Sequence, residues 1–458
     1  MKKLFTYLFF ASFGAFAQTS RILSPVLESY IQEGLKQNLA LKQERLEILK
    51  SDENITQAKA NFMPKVTFNP IYSFAAGGRK LAFPIGDLLN PVYSTLNQLT
   101  KTNNFPQVEN VNQQLAPNNF HDTKLSFQYP IFNTDIRYNL LMQRDLLSAQ
   151  EAKKRVLENE ICYSITTAYL QYMQTLEAQK IFDASRKLLT DFVKLNEKLV
   201  SNNVATKDII YSAEYEVSKL DQQVAVLDKN RQSVQAFLNY VMNRDFYTEI
   251  VADTNLVNYA IPTTGGWRST LAQIKEDALA HRQELSQLRT NIKLSETAIK
   301  LQEMNAIRPQ VFVGGNMGFQ GFGYTFKNQA YLIGQIGLSW DLYHGYEKKS
   351  KIQQAKIQKS ILDTKLEEVQ KQIKLQVSQA YFELEAAKKS LTMAKDGTTK
   401  AEKYFKIVES RYRNGQAIMI EYLRASNEII TARLQESLAK YDVLIKQAAL
   451  DKVGAVSQ

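Results

Sequence analysis

Histidine and cysteine are the side chains in this sequence that would most often hold a metal ion or act as a nucleophile. The chain has three histidines and a single cysteine. His121, His281 and His344 lie far apart and lack the short spacing of metal ligands, so surface or packing roles are predicted for them. Cys162 falls in a helical pattern and is predicted to be a small buried apolar residue. The sequence therefore predicts no enzyme, no cofactor and no metal site.

A second chemistry offered by the sequence is a pair of opposite charges. Glu421 and Arg424 are three residues apart in a helical pattern, so their side chains can share one face of a helix. One interpretation is an ion pair within the helix, which would contribute only about a few tenths of a kcal/mol. The other is a functional role for the two charges.

The periodicity of the apolar residues predicts the elements that position these groups. Residues 331–342 alternate, with Leu332, Ile336 and Leu338 on one face, which predicts a strand. From 362 to 394, apolar residues recur at steps of three and four, as in a coiled-coil helix. No proline follows Pro309, so the helix predicted over 346–413 would measure roughly 100 Å at ~1.5 Å per residue.

The remaining elements follow the same logic. Helices are predicted over residues 27–61, 137–200, 206–240 and 271–307, and from the turn at Arg413-Asn414-Gly415 to about 452. Further strands are predicted over residues 66–74, 123–132 and 311–319. The segment Gly77–Asn119 is rich in Asn, Gln, Pro and Thr and has weak periodicity. It is predicted to be a long exposed loop with little helix.

The order of elements occurs twice. Tyr129-Pro-Ile-Phe132 matches Trp340-Asp-Leu-Tyr343, and Asn202-Asn203-Val204-Ala205 matches Asn414-Gly415-Gln416-Ala417. The members of each match are separated by 211 or 212 residues. This spacing predicts a first repeat over 18–250, a linker over 251–267 and a second repeat over 268–458. Asn203 and Gly415 are residue types that tolerate positive φ, as a tight turn between helices requires.

Composition and the N-terminal residues indicate an exported protein. Residues 1–17 resemble a signal peptide, with Lys2 and Lys3, an apolar run and Ala15-Phe16-Ala17 before the predicted cleavage site. The run is too short for a membrane-anchor helix. The formal net charge is +11, from 57 basic and 46 acidic residues. These charges are spread along helices, which favours solvated helix faces over a nucleic-acid partner.

The doubled order helix, two strands, helix, helix resembles that of TolC-family outer-membrane efflux proteins, also called outer membrane factors. The sharpest local likeness runs Tyr412-Arg-Asn-Gly415-Gln-Ala-Ile-Met-Ile-Glu421-Tyr-Leu423-Arg-Ala425 and is similar to the family's Y-x-x-G-x-x-x-x-x-D-x-L-x-A segment. The resemblance implies a mainly α-helical chain with a membrane β-barrel. Three copies would share the barrel, and their long coiled-coil helices would form a tunnel through the periplasm.

Physical constraints lead to the same assembly. Four strands cannot close a barrel and open edges are not tolerated in lipid, so closure needs strands of other copies. Three copies give a barrel of about twelve strands, which is within the range of small bacterial barrels. Tyr129, Trp340 and Tyr343 stand near predicted strand ends, where a membrane-interface belt of aromatic side chains is expected.

The resemblance also implies roles for residues at the periplasmic tip. Glu421 and Arg424 occupy the family's two aspartate positions, and Arg424 departs from the expected acidic ring, as Ala417 departs at a basic position. With the tip aromatic Tyr412 and with Asp208 of the first half, they are the predicted gate. The predicted contact with a periplasmic adaptor comprises Asn202, Asn203, Arg413, Asn414 and Gly415.

Two classes of function follow. The first is a passive exit duct, a homotrimer in outer-membrane lipid that works with an adaptor and an inner-membrane pump. Its cargo is left open among drugs, metal ions and secreted protein. The second is an exported coiled-coil scaffold or adhesin that binds other proteins. The alternating strands favour the duct.

Overall fold

The computed structural model describes residues 24–253, 256 and 270–455. The predicted signal peptide, residues 1–17, lies outside these residues, as does most of the predicted linker 251–267. Among the described helices, none carries an apolar stretch of the length needed to cross a bilayer.

Outside the segment Gly77–Asn119, helices and strands follow one another in the same order in both halves of the chain. The first half contains α1 (Pro25–Gln37), α2 (Leu39–Ala60), α3 (Ile85–Thr100), α4 (Thr134–Ser201) and α5 (Asp208–Val241). The second half contains α6 (Leu271–His281), α7 (Gln283–Ile307), α8 (Glu347–Arg413) and α9 (Met419–Gly454). The two longest, α4 and α8, have 68 and 67 residues. The predicted order of elements is therefore present, while the division into two repeats at 251–267 stays a prediction.

Four strands form one antiparallel sheet in the order β1-β4-β5-β6. They are β1 (Lys65–Ser73), β4 (Phe120–Phe132), β5 (Gln310–Phe322) and β6 (Ala330–Ser339). All four correspond to predicted strands, although β6 ends three residues before the predicted end at Leu342. A second sheet pairs β2 (Lys80–Phe83) with β3 (Val111–Gln114). Within the single chain, β1 and β6 are the edges of the larger sheet and each has one unpaired side.

The prediction of a loop with little helix over Gly77–Asn119 was wrong, because this segment contains β2, α3 and β3. Its asparagines hold the helix in place. Asn90 exchanges two hydrogen bonds with the backbone of Val108, at 2.8 and 3.0 Å, and Asn97 does the same with Phe105, at 2.8 and 3.1 Å. The polar residues that suggested a loop thus form the hydrogen bonds between the helix and the irregular segment 102–110.

Two helices predicted as continuous are each broken once. Between α1 and α2, the Asn38 side-chain oxygen accepts hydrogen bonds from the N–H groups of Ala40 and Leu41, at 2.9 and 3.2 Å. It thereby caps the start of α2. Between α6 and α7, the Arg282 guanidinium donates to Glu284 and to Gln376 on α8, at 2.5 and 2.8 Å. The Asn38 amide also donates to the Val241 carbonyl, at 2.8 Å. Partners distant in sequence, Val241 and Gln376, therefore hold the chain at the two breaks.

The chain divides into two compact units. One unit contains the described residues within 1–52, 145–294 and 359–458, and it is helical. The other comprises residues 53–144 and 295–358 and contains both sheets and α3. Each unit therefore combines segments from both halves of the sequence.

The helical unit has an apolar core to which both halves contribute. On α8, the predicted stripe is confirmed, since Ile373, Val377, Ala380, Leu384, Ala387 and Leu391 are all buried. A second cluster surrounds Tyr169 of α4, which is fully buried. Its hydroxyl donates to the Val251 carbonyl (3.1 Å) and accepts from the Asp253 N–H (3.0 Å). This tyrosine therefore ties the segment after α5 to the core.

We expect Tyr169→Phe to lower the free energy of unfolding by about 1–3 kcal/mol, because two part-buried hydrogen bonds, to the Val251 carbonyl and from the Asp253 N–H, are lost together. Denaturant unfolding in detergent would measure the change. Tyr381→Phe is the matched control, because Tyr381 occupies the corresponding place on α8 and makes no hydrogen bond through its hydroxyl among the described residues. Equal effects of the two substitutions would contradict this account.

The same pair of variants gives a pH dependence. Burial raises the pKa of Tyr169 from 10.0 to about 12. The folded state thus binds this proton more tightly, so the contribution is present below pH 10 and is lost as the pH rises through 12. Between these pH values the wild-type protein should lose more stability than Tyr169→Phe.

Candidate functional site

The larger sheet has one apolar and one mainly polar face, because the alternation of each strand is in phase with that of its neighbours. The apolar face carries Val66, Phe68, Leu125, Phe127, Val313, Met317, Leu332, Ile336 and Leu338. The polar face carries Lys65, Thr67, Asn69, Ser126, Gln128, Asn316, Gln335 and Ser339. Leu332 and Ile336 are 79% and 78% exposed in the single chain. An apolar face of this extent needs an apolar environment.

Aromatic side chains lie at both ends of the apolar face. At the end next to α4, Tyr129 is in β4, as predicted, whereas Trp340 and Tyr343 lie just beyond β6 in the connection to α8. At the opposite end, a cluster that the sequence did not predict is formed by Tyr72, Phe319, Tyr324 and Phe326. Eight residues of β4 separate the two ends, or ~26 Å at ~3.3 Å per residue, close to the apolar band of a membrane barrel.

His121 holds this second cluster together. It is fully buried, and its ring lies 5.0 Å from the ring of Tyr324 and 5.7 Å from that of Phe326. Its Nε2 lies 2.9 Å from the Thr325 carbonyl oxygen and 2.6 Å from the Gln329 side-chain oxygen. Both partners are acceptors, so Nε2 carries the proton. The predicted packing role is confirmed for this histidine.

A charged cluster lies on the polar face at the same end of the sheet. The Tyr331 hydroxyl donates to one oxygen of Asp122 (2.8 Å), and the Lys124 ammonium lies 2.5 Å from the other. The Asp122 carboxylate is therefore neutralised by partners on the polar face of the sheet. Among the described residues, no group of three His, Cys, Asp or Glu side chains could hold a metal ion.

The two helix–helix turns have the same geometry. Asn203 has φ +55° and Gly415 has φ +69°. After α4, the N–H of Val204 donates to the Leu199 carbonyl, and after α8 the N–H of Gln416 donates to the Arg411 carbonyl, at 2.9 and 2.8 Å. These bonds, with those from Asn203 and Gly415 to the carbonyls three residues earlier, define a Schellman motif at each helix end. The motif needs a positive φ where the sequence predicted it.

An aromatic cluster joins α4, α8 and α9 close to these turns. The rings of Phe192 and Tyr422 are stacked, with centroids 4.1 Å apart and planes at 9°. Tyr412 packs against both, and its hydroxyl donates to the Asn196 side-chain oxygen at 2.6 Å. Burial raises the pKa of both Tyr412 and Tyr422, so both stay neutral at physiological pH. The sequence did not predict the other members of this cluster. Phe192 and Asn196 are distant in sequence from Tyr412, and Tyr422 lies within an apolar stripe.

The charged gate candidates are arranged differently from the predicted ion pair. Arg424 pairs with Glu428, with Nε 3.0 Å from Oε1, so the interpretation of a Glu421–Arg424 pair was wrong. Glu421 lies in the first turn of α9, where the helix dipole favours a negative charge, and forms no ion pair with the described residues. Arg413 pairs with Glu409 at 2.8 Å, and Asp208 accepts a hydrogen bond from the Thr206 hydroxyl.

A groove between the first turns of α5 and α9 was also missed. It has a volume of about 600 Å³ and is lined by Tyr211, Tyr215, Glu216, Ile420, Leu423 and Arg424. Tyr211, Tyr215 and Ile420 are more than two-thirds exposed. The groove therefore presents an exposed apolar surface next to Arg424. Its i, i+4 tyrosines were the available signal in the sequence.

The second half of the chain matches a known protein family. The sequence model of the family described as Outer membrane efflux protein matches residues 274–454. The curated protein "Outer membrane efflux protein BepC" of Brucella suis biovar 1 (strain 1330) is 26% identical over 115 residues. The matched stretch covers 25% of this chain and spans only 25% of the length of BepC.

Solved structures share the fold over nearly the whole chain. The outer-membrane channel OprN superposes with a TM-score of 0.75 at 14% identity, covering 95% of this chain and 91% of OprN. The open state of the MtrE outer-membrane channel of Neisseria gonorrhoeae superposes with a TM-score of 0.73 at 14% identity, covering 94% and 89%. The second half of the chain thus matches the outer membrane efflux protein family, and the chain as a whole has the fold of these outer-membrane channels.

The turn geometry predicts opposite effects for two substitutions in or next to α8. Gly415→Ala should lower the free energy of unfolding by about 1 kcal/mol, because a Cβ is disfavoured at positive φ. Gly397→Ala should raise it by about 0.5–1 kcal/mol, because Gly397 is helical and has no atom within 4 Å of an added Cβ.

An added Cβ at Gly415 likewise has no atom within 4 Å. The difference in stability between the two variants therefore reports on the backbone conformation alone. Denaturant unfolding of the two variants in detergent would measure both changes. A destabilisation by Gly397→Ala as large as that by Gly415→Ala would contradict the assignment.

Proposed function

We propose that three copies of this chain form an outer-membrane channel. Their twelve strands form one barrel and their long helices form a periplasmic tunnel. The observation that carries the proposal is the sheet itself, which combines an apolar face, a polar face and two unpaired edges. In a closed barrel, lipid would cover the apolar face and water the polar face.

The strand directions support closure by identical copies. Because the sheet is antiparallel throughout and has four strands, its edge strands β1 and β6 run in opposite directions. The β6 edge of one copy can therefore pair with the β1 edge of the next without breaking the antiparallel order. Three copies close a ring of about twelve strands, and no edge is left in lipid. The trimeric state of TolC-family channels agrees with this number.

The channel is passive and depends on partners for energy and cargo. We assign the contact with a periplasmic adaptor to the two turns, at Asn202-Asn203 and Arg413-Asn414-Gly415, and to the neighbouring groove of Tyr211 and Tyr215. An inner-membrane pump would deliver the cargo. A coiled-coil scaffold without a membrane function would leave the apolar face of the sheet in water, so the observations favour the channel.

Near these turns, we assign the gate to Glu421, Arg424, Tyr412 and Asp208. Tyr412 acts by positioning, since its ring and its hydrogen bond to Asn196 hold α8 against α4. Among the described residues, Arg424 pairs only with its i+4 neighbour Glu428 and Glu421 forms no ion pair, and the Arg424 side chain is 76% exposed. Such charges are available to neighbouring copies, and a ring of three Glu421 and three Arg424 side chains would narrow the tunnel.

Conductance in planar bilayers tests both the channel and the gate. The wild-type protein should insert as discrete channels, and the double variant Glu421→Ala, Arg424→Ala should raise the single-channel conductance by about twofold or more, because it removes the charged constriction. The control is the double variant Lys365→Ala, Glu368→Ala. It removes an exposed ion pair of α8, with 2.7 Å between the ammonium and the carboxylate oxygen, and like the gate variant it leaves the net charge of the protein unchanged. This control should leave the conductance unchanged.

Each other outcome refutes a defined part of the proposal. Wild-type protein that forms no channels would contradict the function. Channels whose conductance and ion selectivity are the same in the gate variant would place the gate elsewhere in the tunnel.

A further inference from the structure

Helix α3 is amphipathic, but its apolar side faces away from the chain. Its inward side is formed by Gly86, Asn90, Tyr93 and Asn97, which contact residues 105–110. The opposite side carries the outer stripe, Leu88, Val92 and Leu99, which are 70%, 52% and 76% exposed. At ~100° per residue, the stripe spans about 40° and lies about 150° from the inward side.

A third side of α3 is polar and exposed. Asp87, Ser94 and Gln98 lie together about 120° from the outer stripe. Asp87 is the only charged residue of the helix. The helix thus has one side bound to its own segment, one polar side and one apolar side. This distribution is typical of a helix that lies at a boundary between water and lipid.

The attachment of α3 places it near the end of the sheet. Beyond β1 and β4, the Ala75 N–H donates to the Asn118 side chain (3.1 Å), and the Gln114 amide donates to the Gly77 carbonyl (2.9 Å). The hairpin β2–β3 then continues towards α3. Between β1 and β2, Gly77 and Gly78 have φ +75° and +89°, so the chain changes direction there. The first repeat alone carries this structure, since β5 and β6 are joined by a short turn.

From these observations we infer that α3 is an interfacial anchor whose outer stripe inserts into the outer leaflet of the bilayer around the barrel. The inference rests on the proposed function, because β1 and β4 must be membrane strands for their connection to lie at the bilayer surface. The hairpin then tethers the outer stripe next to lipid already in contact with the apolar face of the sheet.

The charges beside α3 favour lipid over a second copy as the occupant. Arg79, Lys80 and Lys101 are exposed next to the hairpin and the helix, where they can bind lipid phosphate groups. If three copies of α3 met on the symmetry axis, nine such cations would converge and repel one another. A lipid surface satisfies both the stripe and its basic flanks.

Site-directed spin labelling of the trimer in liposomes tests this inference. In a Cys162→Ala background, labels would be placed at Leu88, Val92 or Leu99, and, as matched controls, at Asp87, Ser94 or Gln98. Collision rates with oxygen and with a water-soluble nickel chelate would be measured. We expect stripe labels to meet the nickel chelate at least about threefold less often than control labels, and to meet oxygen more often.

A label at Leu125, on the apolar face of the sheet, separates the possible failures. Stripe labels as accessible to nickel as the controls, with Leu125 accessible to oxygen only, would overturn the anchor and leave the channel standing. Nickel access at Leu125 would overturn the proposed function as well. Stripe labels shielded from both reagents would mean that protein covers α3, which would also overturn the anchor, and spin–spin broadening would identify that protein as another copy.

Discussion

Backbone hydrogen bonding at the edges of one sheet is the constraint on which the rest of this structure depends. β1 and β6 each present a row of unpaired N–H and C=O groups, and each such group would cost several kcal/mol in lipid. The apolar face of the same sheet cannot remain in water. In the proposed channel, lipid and closure by further copies resolve both problems together. The even number of strands lets identical copies do so.

The helical unit is organised by a different requirement, because it must hold long helices in a fixed arrangement in water. Its core does so with buried stripes and with a few polar side chains that reach across the sequence, such as Tyr169, Asn38 and Arg282. Near the turns, the stack of Phe192 and Tyr422 with Tyr412 performs the same task. We infer that gating acts on helices already braced internally, so that charges between copies, and not packing within one copy, control opening.

Most of the fold could be predicted from the sequence because period-two and heptad-like patterns are local properties. The turn residues Asn203 and Gly415 were found for the same reason. The pairing of Arg424 was not, because its sequence offers Glu421 at i−3 and Glu428 at i+4, and only the structure shows which is used. The breaks at Asn38 and Arg282 depend on partners hundreds or tens of residues away. Helix α3 was not predicted because the apolar residues of an amphipathic helix are expected to face the protein, whereas in α3 asparagines face it.

The central claim is that neighbouring copies pair through β1 and β6, and disulfide trapping tests it most directly. In a Cys162→Ala background, Thr67→Cys in β1 would be combined with Ile333→Cys, Gln335→Cys or Gly337→Cys in β6, to sample the register. Thr67→Cys with Asn316→Cys in the interior strand β5 is the control. After oxidation in the membrane, at least one edge pair should give a covalent trimer on a denaturing gel, and no larger product. Edge pairs that remain monomeric, or that give ladders beyond the trimer, would contradict closure by three copies.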